Sequence, residues 1–172
     1  MDYSREDRLK FAKHFERAQG WLMLDKFDQA SAALAEIPAV FSAHLEVRLL
    51  RAQIHMAAAQ WDLAEPLFRQ LVEHDAAEPL YWVNLAYVVR RAKSLAEAEP
   101  ILREARRRFP TVELIWFNLA CYAAQQNRLE EAHELLGEAF RLDPQLKAQA
   151  EADPDLKPYW DALASGRITT SS

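Results

Sequence analysis

Small and large apolar residues recur along this chain at a fixed interval. Ala30, Ala64, Ala98 and Ala132 stand 34 residues apart, and Ala18, Ala52, Ala86 and Ala120 form a second series twelve residues upstream. Two series of larger residues keep the same register: Leu34, Phe68, Leu102 and Leu136, and Phe27, Trp61, Leu95 and Leu129. Trp82-x-Asn84-Leu85-Ala86 returns as Trp116-x-Asn118-Leu119-Ala120. Alanine is common here, so a single series would carry little weight. Several series in one register mark a structural repeat.

The pattern predicts helical hairpins. In each unit the upstream alanine falls midway along a first helix and the downstream alanine near the start of a second. Small residues at both places let two helix backbones approach closely. Large residues three or four positions away fill the space around that contact. Asp28, Asp62 and Glu130 recur where second helices begin, and a carboxylate there suits the helix dipole. Pro110 and Pro144 fall where second helices should stop. Ser4 with Asp7 reads as a capping box that starts the first helix before Phe11. After Pro144, Asp153-Pro154 predicts a break between two short helices. Their Leu146, Leu156, Tyr159, Trp160 and Leu163 suit a cover for the apolar side of the fourth unit. From Ser165 onward the residues read as a loose tail.

Composition agrees with helices. The 172 residues include only 3 glycines, and 51% are hydrophobic, which excludes both a turn-rich β fold and a disordered chain. The net charge of −5 makes a phosphate backbone a poor partner, so nucleic acid is not expected. Cys121 is the sole cysteine, so no disulfide forms within a monomer, which fits a reducing, cytoplasmic setting. The N-terminus has no apolar signal region, and the longest apolar run, Leu114 to Ala124, is too short to span a bilayer.

The third unit reads Trp82, Leu85, Ala86, Val89, Ala98, Leu102, Ala105, Pro110, and the fourth Trp116, Leu119, Ala120, Ala123, Ala132, Leu136, Ala139, Pro144. This resembles the tetratricopeptide repeat signature, W-x2-L-G-x2-Y followed by A-x3-F-x2-A and a final P. The first two units depart from it: His14 and Arg48 replace tryptophan, and Arg17 and Arg51 replace leucine. Their second helices match. The resemblance implies an all-α fold, a right-handed α-solenoid of stacked antiparallel hairpins, in a single domain over residues 1–164. Its repeats span 11–44, 45–78, 79–112 and 113–146, followed by a capping segment over 147–164 and a tail over 165–172.

It also implies a function: a non-enzymatic protein–protein interaction module, an adaptor or scaffold, whose first helices line a groove for a partner. Carried over position by position, the groove would be lined by Phe15, Gln19, Met23, Leu49, Gln53, Met56, Val83, Tyr87, Arg90, Arg91, Phe117 and Cys121. Asn84 and Asn118 occupy the family position that bonds a ligand backbone. These positions are mostly apolar, which points to an amphipathic helix or extended apolar segment as ligand, with Arg90 and Arg91 meeting acidic residues beside it. Three occupants remain open: a partner protein, the chain's own C-terminal segment through Tyr159 and Trp160, or a second copy in a homodimer. Length, acidity and apolar groove are also similar to the chaperones of type III secretion translocators. The other chaperone-type branch grips a C-terminal carboxylate with lysines, but Phe15, Leu49 and Val83 stand at those sites, so no such clamp is expected.

Little else suggests chemistry. The histidines lack the spacing of a metal face, and the cluster Glu130, Glu131, His133, Glu134 reads as a solvated helix face. No basic group lies within a helical turn of Cys121, so it reads as a packed thiol. No cofactor, metal or membrane contact is expected. Arg103, Arg106, Arg107 and Arg108 form a basic island. It reads as a solvated face suited to a helix C-terminus, or as a secondary surface for an acidic partner or, weakly, for nucleic acid.

Overall fold

The computed structural model describes residues 3–168. Among them every regular element is helical: α1 (Arg5–Met23), α2 (Phe27–Ala35), α3 (Leu45–Ala57), α4 (Trp61–His74), α5 (Pro79–Ala92), α6 (Leu95–Arg108), α7 (Glu113–Gln125), α8 (Leu129–Leu142), α9 (Leu146–Ala152) and α10 (Lys157–Ala164). Two short 3-10 turns, Ala39–Phe41 and Pro154–Leu156, complete the order. Packing divides the chain into two compact units between Tyr81 and Trp82, inside α5.

In the N-terminal unit α1 pairs with α2 and α3 with α4, and α3 also packs against α1 and α2. That is the contact set of two stacked hairpins. Ser4 starts α1 as a side-chain cap: its Oγ accepts the Asp7 amide at 3.0 Å and donates to the Asp7 carboxylate at 2.6 Å. The core joins Ala18, Ala30, Leu34, Ile37, Phe41, Val47, Leu50 and Ile54. An aromatic group closes one side of it. Phe11 lies 4.7 Å from Phe41 and 5.4 Å from Phe15, while the Tyr3 hydroxyl meets His44 Nε2 at 3.0 Å.

In the C-terminal unit α7 pairs with α8 and also packs against α6. The Tyr122 hydroxyl on α7 donates to the Ala86 carbonyl on α5 at 3.3 Å. The C-terminal segment packs back on the same unit: the Pro154–Leu156 turn meets α7, and α10 touches both α7 and α8. The second helices end at Arg108 and Leu142, before Pro110 and Pro144. Of the expected tail, Ile168 is buried at 7% exposure; residues 169–172 lie outside the described residues.

All eight register alanines, Ala18, Ala52, Ala86, Ala120, Ala30, Ala64, Ala98 and Ala132, are 0% exposed. Small residues suit the close approach of paired helices, and a larger side chain at a fully buried position must displace its neighbours. Ala132→Leu is therefore expected to destabilise the protein by about 1–3 kcal/mol through overpacking. Urea denaturation checks it, with Ala32→Leu at an exposed site of α2 as the neutral control.

The turns inside the hairpins carry a feature that residue types did not disclose. Asp25, Ala59 and Asn127 have φ of 54°, 55° and 57°. They occupy the same repeat position, just after the first helix. This left-handed residue reverses the chain so that the next helix packs back on the last.

Candidate binding surfaces

The groove positions predicted from the sequence fall into two differently treated sets. In the N-terminal unit they stay at least partly open. Met23 is 84% exposed, Gln19 is exposed, and Leu49, Gln53 and Met56 are half-buried. Phe15 is half-buried too, but one face of its ring is spent on Phe11. Leu49 lies in an open hollow of about 530 Å³ with His44, Leu45, Glu46 and Tyr81. Burial, then the carboxylates of Glu78 and Asp75, push the Tyr81 phenol above its ordinary pKa, so it stays neutral beside that hollow.

In the C-terminal unit the corresponding positions are largely covered. Val83 is 9% exposed, Phe117 3% and Cys121 3%. The cover over α7 is the chain's own C-terminal segment, with Leu156 fully buried. Tyr159 turns to α8, where its hydroxyl meets His133 Nδ1 at 2.8 Å, and the Trp160 indole donates to the Ala150 carbonyl at 2.8 Å. Arg90 does hold an acidic residue, but it is the chain's own Asp155. Asn118 donates to Leu114 O in its own helix at 2.8 Å. Asn84 is half-buried, and Tyr87 and Arg91 remain exposed.

Cys121 is a packed thiol. Burial first, then Asp153 and Asp155, push its pKa far above the ordinary value, against a smaller opposing effect of Arg90. Its sulfur lies 4.0 Å from the Asp153 carboxylate. Such a thiol is protonated and a poor nucleophile.

The four arginines of the basic island are engaged within their own unit. Arg107 and Arg108 pair with Glu104, the latter at 2.7 Å. Arg108 also lies over the Trp82 ring at 5.1 Å, and Arg106 over Trp116 at 5.2 Å. Arg103 bonds Glu99 at 2.5 Å and Glu131 at 2.6 Å. Arg128 closes a ring by bonding Glu99 at 2.7 Å and also Glu131, so four charges tie α6 to α8. Glu131 and His133, read as a solvated helix face, thus have partners inside the unit. Among the described residues no group of three or more His, Cys, Asp or Glu side chains comes together as a metal site, and no helix is long and apolar enough to cross a membrane.

The charge ring responds to acid. Burial alone would raise the Glu99 carboxyl, but hydrogen bonds from Arg128, Gln126 and Arg103 outweigh it and hold the pKa below its ordinary 4.5. A depressed folded-state pKa gives stability that is full above the unfolded value and lost as pH falls through the folded one. Acidification below pH 4.5 should therefore weaken the α6–α8 tie. Glu99→Gln is expected to lower stability at neutral pH and to flatten that acid dependence. Urea midpoints measured across the acid range check both.

Helices paired in antiparallel hairpins within each unit define the class: an all-helical repeat fold. One of its hairpins is of the tetratricopeptide type. Residues 113–146, the fourth hairpin, match the tetratricopeptide repeat family. Three solved structures share the fold. They are MamA 41-end from Desulfovibrio magneticus RS-1 (TM-score 0.68, 13% identity, 77% of this chain and 75% of that one), the MamA RS-1 ArsTM double mutant (0.67, 13%, 77% and 74%) and a crystal structure of MamA protein (0.66, 12%, 95% and 98%). At such identities the likeness speaks for fold alone. None of the curated proteins compared matches the sequence.

Proposed function

We propose that this protein is an adaptor or scaffold that holds an apolar segment of a partner protein, an extended peptide or the face of an amphipathic helix, against the open first-helix surface of its N-terminal unit. One observation carries the reading. The Leu49 hollow stays open between His44, Glu46 and Tyr81, while the equivalent positions on α7 are covered from within. An apolar side chain seated on Leu49 would shed water, and the flexible Met23 and Met56 would adapt to its neighbours. His44 and Glu46 supply a polar rim.

A photo-crosslinking residue placed at 49 should trap a partner in the native cell extract, and one placed at Leu63 on α4 should not. Leu63 is 53% exposed and belongs to a second helix, so it controls for mere stickiness. Leu49→Glu should reduce recovery of that partner at least tenfold, since a carboxylate in an apolar contact costs well over about 1.4 kcal/mol. Undiminished recovery by a folded Leu49→Glu protein would reject the site.

Self-association is the second reading, favoured by the adjacent exposed pair Met23 and Leu24, at 84% and 63%. Light scattering separates the two. A dimer held there loses mass on Met23→Ser with Leu24→Ser, and a partner-binding monomer does not.

A further inference from the structure

The segment that covers α7 is held in the manner of a bound peptide. Arg90 on α5 grips both oxygens of the Asp155 carboxylate, Nη1 to Oδ2 at 2.5 Å and Nη2 to Oδ1 at 2.9 Å. Gln125 Nε2 on α7 donates to the Asp155 main-chain carbonyl at 2.9 Å. Leu156, the next residue, is 0% exposed. A charge clamp, a main-chain hydrogen bond and an apolar socket thus converge on two consecutive residues. These are the contact types by which a groove reads a short segment. The turn is preorganised, because the Asp153 side chain accepts the Asp155 amide at 2.8 Å and Pro154 restricts the backbone between them.

A plain structural cap would not need this arrangement. Apolar contact of the segment with α7 would be enough to keep that helix dry. A partly buried ion pair adds little net stability, because desolvation offsets its attraction, but it does select a partner. The side chains of Arg90 and Asp155 keep 21% and 29% exposure, so water and a competing carboxylate reach the pair. The segment leading to the turn is α9, a seven-residue helix that buries only Leu146 and Ala150.

We propose that the α5–α7 face of the C-terminal unit is a second binding site, specific for a proline-led acidic turn in which a carboxylate residue is followed directly by leucine. Asp153–Leu156 is its built-in occupant, and a partner protein presenting the same chemistry exchanges with it. The site is separate from the Leu49 surface, and either can fail without the other.

The test uses the full chain and a fluorescent synthetic peptide spanning Glu151 to Ala162 of this sequence. Binding to the unaltered protein is weak, because the tethered occupant competes at an effective concentration of millimolar order. Asp155→Asn in the protein preserves shape and removes the charge clamp on the occupant, so peptide affinity rises by about tenfold or more. Adding Arg90→Gln to that protein removes the gain, and so does replacing the leucine of the peptide with aspartate. Leu63→Glu, at an exposed site of α4, leaves peptide affinity unchanged. A folded Asp155→Asn protein with no gain in peptide affinity overturns the proposal. Should that variant fail to fold, hydrogen exchange on the unaltered protein decides. Millimolar peptide must then speed exchange in residues 154–164 and nowhere else, and no acceleration there overturns the proposal equally.

Discussion

Phe68→Ala should unfold much of the N-terminal unit's margin of stability, by about 3–5 kcal/mol. Phe68 is 0% exposed in α4, so truncation removes a phenyl group from a site with no water to replace it. Neighbouring side chains relax only partly, and the cavity left behind adds to the lost transfer energy. For a domain of ordinary stability, about 5–15 kcal/mol, this is a large fraction. In a repeat protein each hairpin is held mainly by its neighbours, so the loss should concentrate near the lesion. Hydrogen exchange should accelerate most in α3 and α4 and least in α8. Phe68→Leu should cost far less, since Leu34, Leu102 and Leu136 fill the equivalent positions and are themselves 4%, 0% and 1% exposed. Leu63→Ala, at a site 53% exposed on the same helix, should stay within about 0.5 kcal/mol. Equal losses from Phe68→Ala and Leu63→Ala would refute the placement of the core.

Leu156→Ala is expected to release the C-terminal segment locally, with a cost of about 2–5 kcal/mol to its docking. The reporter is already in the molecule. Cys121 is 3% exposed beneath that segment, its thiol protonated by burial and by the carboxylates of Asp153 and Asp155. Opening removes all three effects together, because the segment takes both carboxylates with it. Labelling by a thiol reagent at mildly alkaline pH should accelerate by about 30-fold or more, since 2 kcal/mol shifts a local equilibrium by that factor. Far-ultraviolet circular dichroism should change little, because α1 to α8 do not depend on the turn. A labelling rate unchanged from the parent protein would show that the segment does not shield Cys121.

Both predictions rest on residues whose roles were readable to different degrees. Phe68 was legible. It stands in a series that repeats with the alanines, and burial follows because a repeat must bury the same face in every unit. The helix ends were legible too, from Pro110, Pro144 and the Ser4 cap, since each acts through its own backbone. The turn at Asp25, Ala59 and Asn127 was not legible, because three unlike residues carry one conformation there and glycine, the usual marker, is missing. The role of Asp155 was not legible either. It lies 65 positions from Arg90, and no periodicity links a residue beyond the repeats to one inside them. Glu99 and Arg128 both lie inside repeats but stand 29 apart, a spacing that the 34-residue period does not pair.

Period and residue size alone determined that this protein folds as paired helices with alanines at their crossings, because helix packing depends on local volume repeated in register. Whether a face exposed by that packing stays open was decided only in three dimensions. Phe15, Leu49, Val83 and Phe117 look equivalent along the chain, yet the first two stay partly open while the last two are buried. That outcome turns on where the final residues reach and on whether a carboxylate arrives beside Arg90, and these are properties of distance in space.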